Sequence, residues 1–172
     1  SVDDFYFQEF VEGESLYLLY YFYKDGKVKK FSQENIVQQP AGKSMVAAIS
    51  SNFHNSTESE KYESLFLSLE YTGLVMVEVK RHGDKNYMIE ANPRFWGPSQ
   101  LFVDAGVNLF ESFLEDLGLI EKKRSDDESI IKCTACTRYF WFGGITKTLQ
   151  KKGELVFHKG KKEMFMDDLP KW

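Results

Sequence analysis

The chain has little of what marks a metal-stapled, secreted or nucleic-acid-binding protein. Its 172 residues hold 2 cysteines, both in a single Cys133-x-x-Cys136. A disulfide framework needs more than that, and a structural zinc site usually needs four ligands. His54, His82 and His158 are scattered without ligand spacing. The cysteines therefore read as two thiols in a half-buried strand, in a reduced, cytoplasmic setting. No basic excess exists: 22 Lys and Arg against 26 Asp and Glu give a net charge of −4, so no general basic face for nucleic acid is expected. No apolar run approaches the length of a bilayer span, and no signal peptide is visible. An initiator Met is also missing. The chain opens on Asp3-Asp4-Phe5-Tyr6-Phe7, which already reads as a strand. A natural domain seldom begins inside its own sheet, so a piece of a longer protein is expected.

What is present is apolar and unusually aromatic. Hydrophobic residues make up 42% of the chain and aromatics 16%, with 15 Phe and 9 Tyr. That suits one ordinary domain with a real core, and it excludes disorder. Three consecutive strands are predicted at 4–12, 15–24 and 27–38, rich in Phe, Tyr, Val and Leu. Asp25-Gly26 predicts a two-residue hairpin, because both positions tolerate positive φ. Residues 39–56, with Pro40, Gly42 and several Ser and Asn, read as a long loop with a short ordered middle. A helix is predicted at 58–71, capped by Thr57 with Glu60 as its capping-box partner and ended by Gly73. Leu74–Lys80 and Lys85–Asn92 form a hairpin around His82-Gly83-Asp84. Helices follow at 98–106 and 108–118, the second capped by Asn108 with Glu111 at the reciprocal position. Residues 121–128 are a charged loop. A strand near 129–142, a helix near 145–151 and short strands near 154–166 complete an α+β domain on a mainly antiparallel sheet.

The richest stretch is Tyr87-Met-Ile-Glu-Ala-Asn-Pro-Arg-Phe-Trp-Gly97. Glu90, Asn92 and Arg94 alternate, so in a strand they share one side. Glu78 lies on the preceding strand, where a tight hairpin can set it beside Glu90. Two neighbouring carboxylates repel unless a cation lies between them. With the Asn92 amide oxygen they form a reasonable Mg²⁺ site that leaves positions for phosphate and water. Arg94 suits the oxygens of a transferring phosphoryl group.

This segment resembles the C-terminal half of ATP-grasp enzymes, in the carbamoyl-phosphate-synthase-like and carboxylate–amine ligase branch. The resemblance implies Glu78, Glu90 and Asn92 as ligands of Mg²⁺, or Mn²⁺ in its place, and Arg94 as the catalytic phosphate contact. Gln8-Glu9-Phe10-Val11-Glu12-Gly13-Glu14 resembles the family's hinge strand. By position Glu9, Phe10 and Val11 would meet adenine, and Glu14 or Glu12 the ribose of ATP. Phe31–Ile36 resembles the strand before a substrate loop, and Ala41-Gly42-Lys43-Ser44 falls where the family has a Gly- and Ser-containing loop. The resemblance covers about residues 5–118, the ATP-grasp C-terminal portion, with 119–172 an extension of the same domain. The family's phosphate-covering subdomain and earlier N-terminal domain would precede Ser1 as partners within one protein.

Other features read as bland. Gly42-Lys43-Ser44 is not a P-loop, since Val37 stands where that pattern needs its first Gly. Lys43 reads as loop-exposed, with a substrate contact as the alternative, and Lys80 as a solvated lysine, with a nucleotide or substrate contact as the alternative. His82 reads as an exposed turn residue, and Phe95 and Trp96 as packing, with a place in a substrate pocket as the alternative. Tyr139–Phe142 reads as core or as a contact with the missing part. The implied parent is a ligase that activates a small-molecule carboxylate as an acylphosphate for attack by an amine, without nucleic acid or membrane. The alternatives are a non-catalytic ATP-grasp-like binding or assembly module, and an unrelated α+β protein. Apolar surface near residues 1–10 would favour a homo-oligomer.

Overall fold

The sequence Glu-Ser-Leu-Tyr-Leu-Leu-Tyr-Tyr-Phe forms strand β1, Glu14–Phe22. Leu16, Leu18, Tyr20 and Phe22 face one side, Leu19 and Tyr21 the other, and all are buried. A strand that is apolar on both faces belongs in the middle of a covered sheet. A computed structural model of the chain, describing residues 7–40, 44–121, 137–150 and 156–157, places it there. The other strands are β2 Val28–Gln38, β3 Met45–Ser51, β4 Gly73–His82, β5 Lys85–Asn92, β6 Arg138–Phe140 and β7 Val156–Phe157. They pair antiparallel in the order β5-β4-β1-β2-β3-β6. β7 joins the end of β2, at Val37 and Gln38, just past the Ser15↔Asn35 pair where β1 stops.

Each face has its own cover. Helix α1, Thr57–Ser68, lays Tyr62 and Phe66 on Leu16, Leu18, Phe22 and Val77. The Tyr20 hydroxyl, buried beneath it, donates to the Ser59 carbonyl at 3.0 Å. On the opposite face, α2 (Ser99–Asp104) and α3 (Leu109–Asp116) bury Leu101, Phe102 and Leu109 against Leu19, Phe31 and Met76. Tyr21 donates to Asp116 at 3.2 Å and ties α3 to β1. This second cover stops short of the Ser15–Tyr17 end of β1. Helix α4, Phe142–Gln150, packs Ile145 against Val46 and Ile49 of β3.

Among the described residues the α+β architecture agrees with the sequence reading, and β5, α2 and α3 fall where it put them. Asn108 caps α3 by accepting from Phe110 N at 3.1 Å and Glu111 N at 3.2 Å. Several details differ. Residues 7–12 form no strand: pairing with β4 begins at Glu14↔Arg81, and Phe7 and Phe10 are 99% and 81% exposed. The β1–β2 hairpin turns through three residues, Lys24, Asp25 and Gly26. Tyr23 N donates to Lys27 O at 2.9 Å and Gly26 N to Tyr23 O at 3.0 Å, with Gly26 at φ 84°. Asp25-Gly26 marks the right place, but the left-handed glycine follows a turn instead of sitting inside a two-residue one. The expected loop at 39–56 contains β3, because Val46, Ala47, Ala48 and Ile49 are all buried. α4 begins at Phe142, three residues early. Ala41–Lys43, Cys133, Cys136 and His158 lie outside the described residues.

The cap of α1 differs as well. Ser56, not Thr57, sits at the N-cap, and its side chain accepts from Ser59 N at 3.2 Å. Gly73 opens β4 instead of closing the helix, which ends at Ser68. Ser56→Ala should therefore cost about 1 kcal/mol of stability, whereas Thr57→Ala should stay within about 0.5 kcal/mol. Urea denaturation of the two variants separates them, and equal losses would contradict this cap.

Candidate functional site

The β4–β5 hairpin begins regularly. Gly83, at φ 59°, helps turn the chain, and His82↔Lys85, Arg81↔Asn86, Lys80↔Tyr87 and Val79↔Met88 follow in step. The next pair is Glu78↔Glu90, with a register shift that leaves Ile89 as an extra residue. This is a β-bulge. In unbroken register Glu78 would face Ile89, and Glu90 would face Val77 on the α1 side. The bulge puts both carboxylates on the same face, directly opposite one another.

That face carries a polar row. Cross-strand neighbours run Glu90, Glu78, Tyr17, Gln33, Ser50 over five strands. Asn92 lies beyond Glu90, and its Nδ2 donates to Glu90 Oε1 at 2.6 Å, which leaves its own Oδ1 as an acceptor. After Pro93, Arg94 N donates to Asn92 O at 2.9 Å, and the guanidinium makes a long 3.4 Å bond to Phe95 O. The Phe95 ring packs 4.5 Å from Phe110, between ring centroids, and so anchors the link that carries Arg94. Glu78, Glu90 and Arg94 all line a cleft of about 540 Å³, with Tyr17, Met45 and Met76 beneath and Trp96, Tyr139 and Trp141 among its walls.

The electrostatics follow from this crowding. Burial pushes the Glu78 carboxyl above its ordinary range, Lys80 opposes the shift, and Glu90 adds to it. The Tyr17 hydroxyl is also pushed up, first by burial and then by the charges of Glu78 and Glu90. Lys80 is pulled below its usual value by burial, with Glu78 working against that. It is half-buried and donates to Gln38 Oε1 at 3.4 Å, so the solvated lysine expected from sequence is corrected. Ser15, Gln33 and Asn35 continue the polar patch. Asn35 Nδ2 donates to Ser15 Oγ at 2.9 Å and Gln33 Nε2 to Asn35 Oδ1 at 2.8 Å, while Gln33 Oε1 is buried without a hydrogen-bond partner. The sequence signal for this network was the polar run Ser32-Gln33-Glu34-Asn35 inside a strand that the fold buries.

The donor set fits a hard divalent cation. It offers two adjacent carboxylates and an amide oxygen, with room for phosphate or water ligands. Among the described residues no third His, Cys, Asp or Glu joins the pair.

The expected nucleotide residues lie elsewhere. Glu9, Phe10 and Val11 stand in the segment before β1 and do not line the cleft. Gly13 seats that segment on β4: a Cβ there would lie 2.1 Å from Arg81 O. Glu12 O bonds His82 Nδ1 at 2.7 Å. Glu14 pairs with Arg81 at 3.5 Å. Strand alternation groups Glu14 with Leu16, on the α1 side and away from Glu78. Trp96 is buried against Phe102, as its packing role required, but it also lines the cleft. Phe142 is 58% exposed and so lies outside the core.

The open antiparallel sheet with helices on both faces is an α+β fold shared with solved ATP-grasp structures. Among solved structures the chain is similar to a biotin carboxylase–β,γ-ATP complex from Campylobacter jejuni, with TM-score 0.53 and 13% identity over 63% of this chain and 26% of that one. It is similar to the phosphoribosylaminoimidazole carboxylase ATPase subunit from Aquifex aeolicus, with TM-score 0.55 and 19% identity over 66% and 35%. A third is N5-carboxyaminoimidazole ribonucleotide synthetase from Thermus thermophilus, with TM-score 0.54 and 19% identity over 63% and 32%. The chain thus spans between about a quarter and a third of the length of these structures. No protein-family model matches the sequence, and no curated protein matches it by sequence. No helix among the described residues is long and apolar enough to cross a membrane.

Like charges directly opposite on a sheet destabilise it, by up to about 1 kcal/mol. Without divalent cation, Glu90→Gln should therefore stabilise the chain by about 0.5 kcal/mol. With millimolar Mn²⁺ the unmodified chain should melt higher and the variant should not respond. Thermal melts with and without Mn²⁺ check both, and an equal Mn²⁺ response would remove Glu90 from the site.

Proposed function

We propose that this chain forms the metal- and phosphate-binding floor of an ATP-dependent ligase, one that activates a carboxylate as an acylphosphate for attack by an amine. The observation that carries the reading is the bulged register, which sets Glu78 beside Glu90 with Arg94 lining the same cleft. The fold likeness to the biotin carboxylase–β,γ-ATP complex and to the ribonucleotide synthetase supports the reaction class.

In this reading Glu78, Glu90 and Asn92 hold Mg²⁺, or Mn²⁺ in its place. The cation would screen the negative charge of the nucleotide phosphates and of the phosphoryl group in transfer. Glu78, half-buried and crowded by Glu90, gains most from a positive partner. Arg94 offers its fork to the phosphoryl oxygens or to the acid being activated. Tyr17, held neutral by its surroundings, can donate a hydrogen bond beside Glu78 without adding charge. Glu9, Phe10 and Val11 remain the proposed adenine contacts, with Glu14 or Glu12 at the ribose. Their segment forms no strand and meets β4 at Glu12 and Gly13, which suits a hinge. The amine and the acid are small molecules in this scheme.

The test is Mg·ATP turnover by the full-length protein that contains this chain. Arg94→Ala and Glu90→Ala should each lower kcat at least about 100-fold, the loss typical for one stabilising group in a transition state. Turnover that survives both substitutions would overturn the reading.

A further inference from the structure

The charged residues occupy only one end of the cleft. Trp141 stands at the other, and its environment is unusual for a tryptophan. It is half-buried and lines the cleft, yet it belongs to none of the three apolar clusters of the core. What positions it is backbone. Trp141 N donates to Val46 O of β3 at 2.7 Å. Its indole lies on the two glycines that open α4. A Cβ on Gly144 would sit 2.4 Å from its Cε3, and one on Gly143 3.1 Å from its Nε1. A side chain at Gly144 would displace the ring, and one at Gly143 would need it to give by a few tenths of an ångström. The ring is thus fixed in place while contributing little to the core, which is the behaviour of a binding platform.

The surroundings define what it binds. Tyr139 and Met45 lie at this end, and no Lys or Arg other than Arg94 lines the cleft among the described residues. A phosphorylated sugar would need more cationic partners than that. Arg94 and Trp141 line one continuous cleft, which suits a molecule with an anionic head near Arg94 and a flat apolar tail.

We infer that the Trp141 end of the cleft binds the planar apolar group of the acid substrate, making the substrate class an aromatic carboxylic acid. The inference rests on the ligase reading above for which molecule enters, and on Trp141 for which part of it is recognised.

The experiment uses the chain itself and separates the two. Mn²⁺ titration followed by electron paramagnetic resonance reports on the carboxylate end. Titration of 3-phenylpropanoate and of acetate, followed by saturation-transfer NMR, reports on the aromatic end. 3-Phenylpropanoate should bind at least about tenfold tighter than acetate, the least expected for burying a phenyl group. Trp141→Ala and Gly144→Ala should each weaken it about tenfold, and Trp141→Phe, which keeps a ring, should stay within about threefold. If Mn²⁺ binds but 3-phenylpropanoate binds no tighter than acetate, or Trp141→Ala binds it as well as the unmodified chain, the inference is overturned and the metal site stands. If Mn²⁺ fails to bind while the aromatic acid binds through Trp141, recognition at this end holds and the ligase reading falls.

Discussion

One extra residue, Ile89, decides what this surface can do. Side chains on a strand alternate, so a shift of one residue exchanges the faces. The turn at Gly83 sets a register in which Glu78 would meet Ile89. The bulge resets it, and from that point Glu90 and Asn92 project on the same side as Glu78. The juxtaposition that results is unfavourable in itself: two carboxylates face each other beside the partly buried Tyr17, and burial already works against ionisation of Glu78. A sheet selected only for stability would not keep that pair together. In the proposed reading a cation would turn the same repulsion into a binding energy, because its ligands would already be gathered and little ordering would remain to be done.

The strain does not stop at the carboxylates. Ser15, Gln33 and Asn35 are fully buried, Ser15 in the otherwise apolar β1 and the other two in the polar middle of β2. They bond to one another, but Gln33 Oε1 has no hydrogen-bond partner, at a cost of about 1–3 kcal/mol. Apolar residues would serve a pure core better there. Departures from packing rules of this kind collect at functional sites. Here they extend the polar row from the hairpin through β1 and β2, under the floor of the cleft.

How much of this was legible in the sequence depends on the range of the interaction. β5, α2, α3 and the Asn108 cap are local, and their residues announce them. Glu78, Glu90, Asn92 and Arg94 stood out in the sequence because their chemistry is unusual as a set, and Glu78, Glu90 and Arg94 do line one cleft. The register that unites the two glutamates was not legible: nothing in Tyr-Met-Ile-Glu distinguishes a bulged strand from a regular one, and pairing is settled by both partners together. β3 was hidden because Pro40, Gly42 and the serines around it suggest a loop, while its burial is tertiary. The expected strand over 4–12 failed at 7–12 for the converse reason. Its composition suits a strand, but β1 meets β4 only from Glu14 onward. The placement of Trp141 depends on two glycines whose tight fit is invisible until α4 is folded against β3.

The two ends of the cleft make physical sense together. Charges at the hairpin act weakly while water surrounds them, since a high dielectric reduces every interaction of Arg94 with an anion. The remaining lining is Met45, Met76 and large aromatic rings, which offer water few partners. A flat apolar group resting on the Trp141 indole would expel solvent from the middle of the cleft. The field of the carboxylate–cation–guanidinium set would then act through a drier medium, and a reactive acyl group there would meet less water. Apolar recognition and polar catalysis are in this view one device. A tail held at β6 and α4 would also improve the electrostatics at the β4–β5 hairpin, at the opposite edge of the same sheet.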